Sequence, residues 1–159
     1  MSELQDFWKK IKDVRVAMLT TMEQDGSLRS RPMHTQQVEF DGNLWFFTAD
    51  NSGKVAEIQA DSDVNLAYVD PKDSLYISVT GKAELVHDRA KIDELWSPTL
   101  KVWFKGGKDD PHVALLRVKV VEAEYWDDNR SKMGQLFGMA KAVVTGATYD
   151  SSEHGVIKP

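Results

Sequence analysis

The chain has 159 residues, 42% hydrophobic and 28% charged, and its 20 Lys and Arg against 25 Asp and Glu give a formal net charge of −5. That is the size of one domain able to bury roughly two-thirds of its unfolded surface without staples, and an acidic average with scattered basic residues argues against a nucleic-acid partner. Cysteine is absent, which excludes disulfides, thiolate catalysis and cysteine-ligated zinc or iron–sulfur clusters. The opening Met1-Ser2-Glu3-Leu4-Gln5-Asp6 is polar and acidic, unlike a secretory leader. No apolar run approaches the roughly 20 residues that cross a bilayer, so a cytoplasmic protein without a membrane partner is expected.

Ser2 followed by Glu3 predicts a helix start, and Leu4, Phe7, Trp8 and Ile11 keep one apolar face to about Lys12. From Val14 the pattern becomes a strand, with Val14, Val16, Met18 and Thr20 alternating with Arg15, Ala17, Leu19 and Thr21. Gln24-Asp25-Gly26-Ser27 reads as a hairpin turn. A second strand is predicted from Leu28 to Phe40, with Pro32 placing part of it at an edge, bulge or corner. Asp41-Gly42 turns the chain into a strand at Leu44-Trp45-Phe46-Phe47-Thr48; a polar loop follows, then a helix from Lys54 to Ala60 packed through Val55 and Ile58. Val64 to Val69 and Leu75 to Val86 are further strands, Gly81 marking a bulge or barrel corner. Asp88 caps a helix through Trp96, Pro98 interrupts it, and a second helical stretch reaches Phe104. After the Gly106 to Pro111 loop come a strand from His112 to Trp126 and a helix from Lys132 to Val144. Short turns between mostly extended segments predict an antiparallel barrel with flanking helices, not a doubly wound sheet. One domain over 1–146 and a polar, mobile tail over 147–159 are expected.

Several motifs fail. Gly53-Lys54 is not a P-loop, because Thr48 and Val55 stand where glycine and Ser/Thr are required. His34, His87, His112 and His154 are too far apart for a local metal motif, so no metal site is expected. Asp109-Asp110 and Asp127-Asp128 read as turn caps, since neighbours on a strand face opposite ways. Asn129-Arg130-Ser131 matches a glycosylation sequon without the leader that would make it meaningful. No nucleophile–base–orienter set is present.

One constellation survives. If the strands flanking Asp41-Gly42 form a hairpin, Arg31 to Met33 lies near the far end of the next strand, where Arg31, Thr48, Ser52 and Lys54 can converge. Cations, hydroxyls and a helix N-terminus together make a phosphate site. The same residues also fit a solvated loop with unrelated charges.

The arrangement resembles the FMN-binding split-barrel superfamily that contains pyridoxamine 5′-phosphate oxidase, and within it the general stress protein 26 branch. The segments carrying the resemblance are Arg31-Pro32-Met33, Trp45-Phe46-Phe47-Thr48, Ser52-Gly53-Lys54, Asp63 to Tyr68, Ser78 to Ala83, Trp103-Phe104 with Gly106 to Pro111, and Glu124-Tyr125-Trp126. It implies a six-stranded antiparallel Greek-key barrel with flanking helices, working as a homodimer with flavin in clefts between subunits. Carried over residue by residue, Arg31, Pro32, Met33 and Thr48 line the flavin, and Ser52 and Lys54 hold its phosphate. Trp126 approaches the ring, from the partner subunit or its own; a strand-end core tryptophan is the other reading. Trp103 and Phe104 wall the substrate face or pack under a helix. The cofactor implied is FMN, with FAD a second choice, and the activity a flavin-dependent oxidoreductase of unknown substrate. A non-catalytic flavin-binding stress sensor or buffer is the alternative. Haem binding is a third, with His34 or His154 as axial ligand. Pyridoxamine 5′-phosphate oxidases carry an Arg-x-His element near the C-terminus; here Arg130 follows Trp126 and the next histidine is His154, which argues against vitamin B6 oxidation.

Overall fold

The computed structural model describes residues 3–128, 132–146 and 153–158. The helix start at Ser2 and the Asn129 to Ser131 segment, Arg130 included, lie outside them. Helix α1 (Glu3–Ile11) buries Phe7 and Ile11 and stacks Trp8 on Phe40 with ring centroids 5.5 Å apart. Strand β1 (Val16–Met22) turns Ala17, Leu19 and Thr21 inward and leaves Val16, Met18 and Met22 exposed. The Asp25-Gly26 turn, with Gly26 at φ +84°, returns the chain as β2 (Leu28–His34) on β1.

Here the structure departs from the sequence reading. The strand expected to run to Phe40 ends at His34: the Thr35 amide makes one last bond in the β1 register, to Arg15 O at 2.8 Å, and the Gln36 amide has already turned to Trp45 O at 2.9 Å. Gly42 does turn the chain, at φ +96°, into β3 (Asn43–Ala49), but β3 does not pair with β2. After α2 (Gly53–Ala60) come β4 (Asp63–Asp70), β5 (Leu75–Val86), α3 (Arg89–Leu95) and two 3-10 turns, Pro98–Val102 and Gly107–Asp109. The long β6 (Val113–Asp127) and helix α4 (Lys132–Thr145) follow.

The strand order is β2-β1-β4-β5-β6-β3, antiparallel throughout, so β2 and β3 are the two ends of one sheet. The sheet curls until those ends approach at Gln36 and Trp45, giving a split barrel rather than a β2–β3 hairpin. Pro32 accordingly sits on an edge strand, where its missing N–H breaks no central ladder. The bend in β5 is at Gly81, beside a register shift. A Cβ there would lie 2.5 Å from Val118 Cγ1 and 2.8 Å from Lys119 O.

The barrel interior is filled from alternate positions, including Leu19, Phe46, Leu66, Val79, Leu116 and Val118, all fully buried. A second cluster of Trp45, Ile92, Leu95, Phe104, Val113 and Leu115 covers the outer face of β3 and β6 under α3. Both faces of these strands are therefore dry, which explains their unbroken apolar runs.

The tail needs correction too. Glu153–Ile157 forms a seventh strand, β7, on β6, and Ile157 is buried against the barrel core. Gly155 lies against the Tyr125 ring, where a Cβ would be 2.6 Å from the hydroxyl. Local polarity concealed this, since one buried isoleucine and one glycine make too short a signal to read as a strand.

Candidate functional site

The split leaves a cavity of about 820 Å³ between the end of β2, the 35–37 crossover, the end of β3, the start of α2 and the first 3-10 turn. Each element delivers side chains for a local reason. Pro32, Met33 and His34 come at the edge where β2 leaves the sheet, and Phe47 and Thr48 where β3 ends. Lys54 comes from the first turn of α2, and Leu100, Trp103 and Phe104 from the turn that Pro98 starts. Arg15 and Lys54 are in the lining, and among the described residues no carboxylate is. In a protein of net charge −5 the described lining is thus locally positive.

The N-terminus of α2 carries the sharper evidence. Ser52 is the N-cap residue, yet its side chain makes no capping bond. Its Oγ is buried without a hydrogen-bond partner, a state that costs free energy unless something supplies one. Lys54 is half-buried, and among the described residues no carboxylate pairs with it. Burial first, and then the neighbouring Arg31 charge, push its ammonium below the usual lysine range. The first turn of α2 has no acidic residue. The first turn of α2 thus carries helix-terminal N–H groups, a buried hydroxyl and a half-buried ammonium within three consecutive residues.

Arg31 is placed differently from its neighbours. Its guanidinium does not line the cavity: Nη1 donates to Thr21 Oγ1 at 2.5 Å and Nη2 to Glu57 Oε2 at 3.1 Å. Pro32, Met33, Thr48 and Lys54 come together in the wall, with Ser52 behind the loop. Phe104 lines the cavity and packs with Phe47 and Trp96, both at 6.4 Å. Trp103 is 72% exposed at the rim and packs under nothing. Trp126 stands at the opposite end of β6, outward, stacked on His154 at 5.4 Å. It does not reach the cavity of its own chain.

Sequence reasoning missed Arg15, Gln36 and Gln37 in the wall, and Thr21 and Glu57 behind it. Glu57, three residues after Lys54 on a helix, was the one legible signal. The sequence also separated His87 from His112, which the fold brings to one carboxylate: Asp50 Oδ2 meets His87 Nε2 at 3.1 Å and Oδ1 meets His112 Nδ1 at 2.9 Å. These contacts, His112 first, hold Asp50 below the usual carboxylate range and tie the loop before α2 to the ends of β5 and β6. Among the described residues no group of His, Asp and Glu could hold a metal. No described helix is long and apolar enough to cross a membrane.

Comparison with known proteins gives a consistent family. The model of the proteins described as pyridoxamine 5′-phosphate oxidase like matches residues 2–150. Protein bli-3 of Neurospora crassa is 32% identical over 142 residues, covering 83% of this chain and 68% of that protein. A candidate general stress protein 26 from Jannaschia sp. CCS1 superposes with a TM-score of 0.77 at 30% identity, over 98% of this chain and 97% of that one. The general stress FMN/FAD binding protein of Xanthomonas citri gives 0.69 at 32% identity, over 81% and 90%.

Proposed function

This chain belongs to the pyridoxamine 5′-phosphate oxidase-like family, and on that premise we propose that it is a flavin-binding protein of the general stress type, taking FMN through its phosphate. The observation that carries the proposal is the buried, unpartnered Ser52 Oγ at the N-terminus of α2, beside a Lys54 that no carboxylate among the described residues neutralises. Ser52, Lys54 and the α2 amides would hold the phosphate; Pro32, Met33 and Thr48 would line the flavin. Trp103, exposed at the rim, and Phe104, buried in the wall behind it, would border the side from which a second reactant enters. When bound, the flavin supplies the electron-transfer chemistry, and the chain's own residues bind, orient and exclude water. That division of labour fits a cavity without an acid–base pair, and the activity proposed is oxidoreduction of a small molecule.

The absorption spectrum of the purified protein, with identification of what denaturation releases, tests the reading. FMN is expected. A Soret band would replace it with haem, and a colourless protein that binds no added flavin would end it. Reoxidation of reduced nicotinamide cofactors through the bound flavin separates an oxidoreductase from a non-catalytic binder.

The homodimer belongs to the same proposal. One outward-facing row crosses the sheet from the cavity edge: His34 pairs with Val16, the β1–β4 register at Ala17–Tyr68 brings Val69 alongside, and Val69 pairs with Tyr76, Tyr76 with Trp126 and Trp126 with His154. Val16, Val69, Tyr76 and Trp126 are 37–53% exposed, so an apolar stripe faces solvent in the single chain. A twofold axis through the middle of the row would lay Trp126 of one copy beside the His34 end of the other. This is how a tryptophan too distant in its own chain would join the flavin site.

A further inference from the structure

Among the described residues the cavity wall holds no carboxylate, yet one stands directly behind it. Glu57 lies on α2 beyond Lys54 with its side chain only 14% exposed, and Arg31 beside it is 16% exposed. Thr21, 1% exposed, closes a ring: its Oγ1 donates to Glu57 Oε2 at 2.5 Å and accepts from Arg31 Nη1, while Arg31 Nη2 donates to the same carboxylate oxygen. The Thr21 hydroxyl, followed by the Arg31 charge, holds the Glu57 carboxyl below its usual range, so it is ionised at neutral pH. Among the described residues Lys54 has no comparable partner, and Arg31 repels it. Around the first turns of α2, Arg31 is therefore neutralised and Lys54 is not.

We propose that Glu57 is the internal counter-anion of this site: it keeps Arg31 on Thr21 in the absence of ligand, and its charge sets how strongly the α2 N-terminus takes a phosphate. The proposal rests on the phosphate-binding reading above and makes Glu57 a specificity-determining residue for ligand charge. A carboxylate about one helical turn from a bound phosphate repels it across partly buried protein, and losing that charge is worth on the order of tenfold in affinity. Glu57→Gln keeps the shape and an oxygen that can accept from Arg31 and Thr21, and removes only the charge.

The test compares wild type, Glu57→Gln and Glu57→Asp with three probes: inorganic phosphate by thermal shift, and FMN and riboflavin by fluorescence titration. The Gln variant is expected to bind phosphate and FMN about tenfold tighter, more steeply weakened by salt, with riboflavin unchanged. The Asp variant, which keeps the charge, should stay near wild type. Parallel loss of FMN and riboflavin binding in the Gln variant, with a lower melting temperature of the free protein, would make Glu57 a structural strut and overturn the proposal. Unchanged phosphate and FMN affinity would overturn it too, as would an Asp variant tightened like Gln. Tighter phosphate with no flavin bound by any form would leave Glu57 in this role and remove the flavin reading instead.

Discussion

Lys54 holds its charge half out of water, and among the described residues no carboxylate balances it, a cost that a bound anion would relieve. A hydrogen bond to a charged group contributes about 1.5–3 kcal/mol, so Lys54→Ala should weaken FMN roughly ten- to a hundredfold and leave riboflavin nearly unchanged. Equal losses for both flavins would move Lys54 away from the phosphate. The pH dependence has a definite sign. A lysine whose folded pKa lies below the usual value discharges early as pH rises, so FMN affinity should fall on the alkaline side before an ordinary lysine titrates. Lys54→Arg, which stays charged, should extend binding to higher pH. A wild-type affinity flat through the alkaline range would contradict this. No Arg-x-His element occurs in the sequence, so oxygen-dependent formation of pyridoxal 5′-phosphate should be absent in a direct assay.

Among the elements, β7 is the one whose contribution can be measured most cleanly. It has few residues and pairs only with β6, yet it delivers Ile157 to the core cluster at 6% exposure. Removing a buried isoleucine side chain typically costs about 2–5 kcal/mol, so Ile157→Ala should lower the urea midpoint clearly, whereas Val156→Ala, on the exposed face, should barely move it. Equal, negligible effects would return the segment to a tail. Helix α2 shows the other use of an element. Val55 and Ile58 seat it on the barrel, and the Thr21–Glu57 hydrogen bond ties it to β1. Its N-terminus therefore points at the cavity from a rigid mount.

At the scale of the whole molecule, the outward row from His34 to Trp126 matters most. Stable dimers bury about 1,200–2,000 Å² and favour apolar and aromatic surface at the centre. Tyr76 lies inside the row, paired with Val69 and Trp126. Tyr76→Asp should convert a dimer at micromolar concentration into monomer by sedimentation, and Trp126→Ala should loosen flavin and weaken the dimer less than Tyr76→Asp does. A wild-type monomer that binds flavin tightly would remove both the interface and the role of Trp126.

Some of this was legible in the chain itself, because the signals are local. Alternation over 75–86, the Asp88 cap, Gly81 at a bend and the helix seated by Val55 and Ile58 depend on neighbours in sequence, and the structure has each where expected. Ser52-Gly53-Lys54 before a helix was readable for the same reason: a helix N-terminus exposes its amides whatever surrounds it. The partners of each strand were not. Asp41-Gly42 looks like a hairpin turn, but which edge receives β3 depends on where burial is available, and β6 with α3 behind it offered two dry faces. That choice sends β2 and β3 to opposite ends of the sheet, and the curl of the sheet brings them back together around the cavity. The pairing of Arg31 with Glu57 instead of with the cavity follows likewise, since a guanidinium takes the nearest buried carboxylate, and only the packed fold determines which one that is.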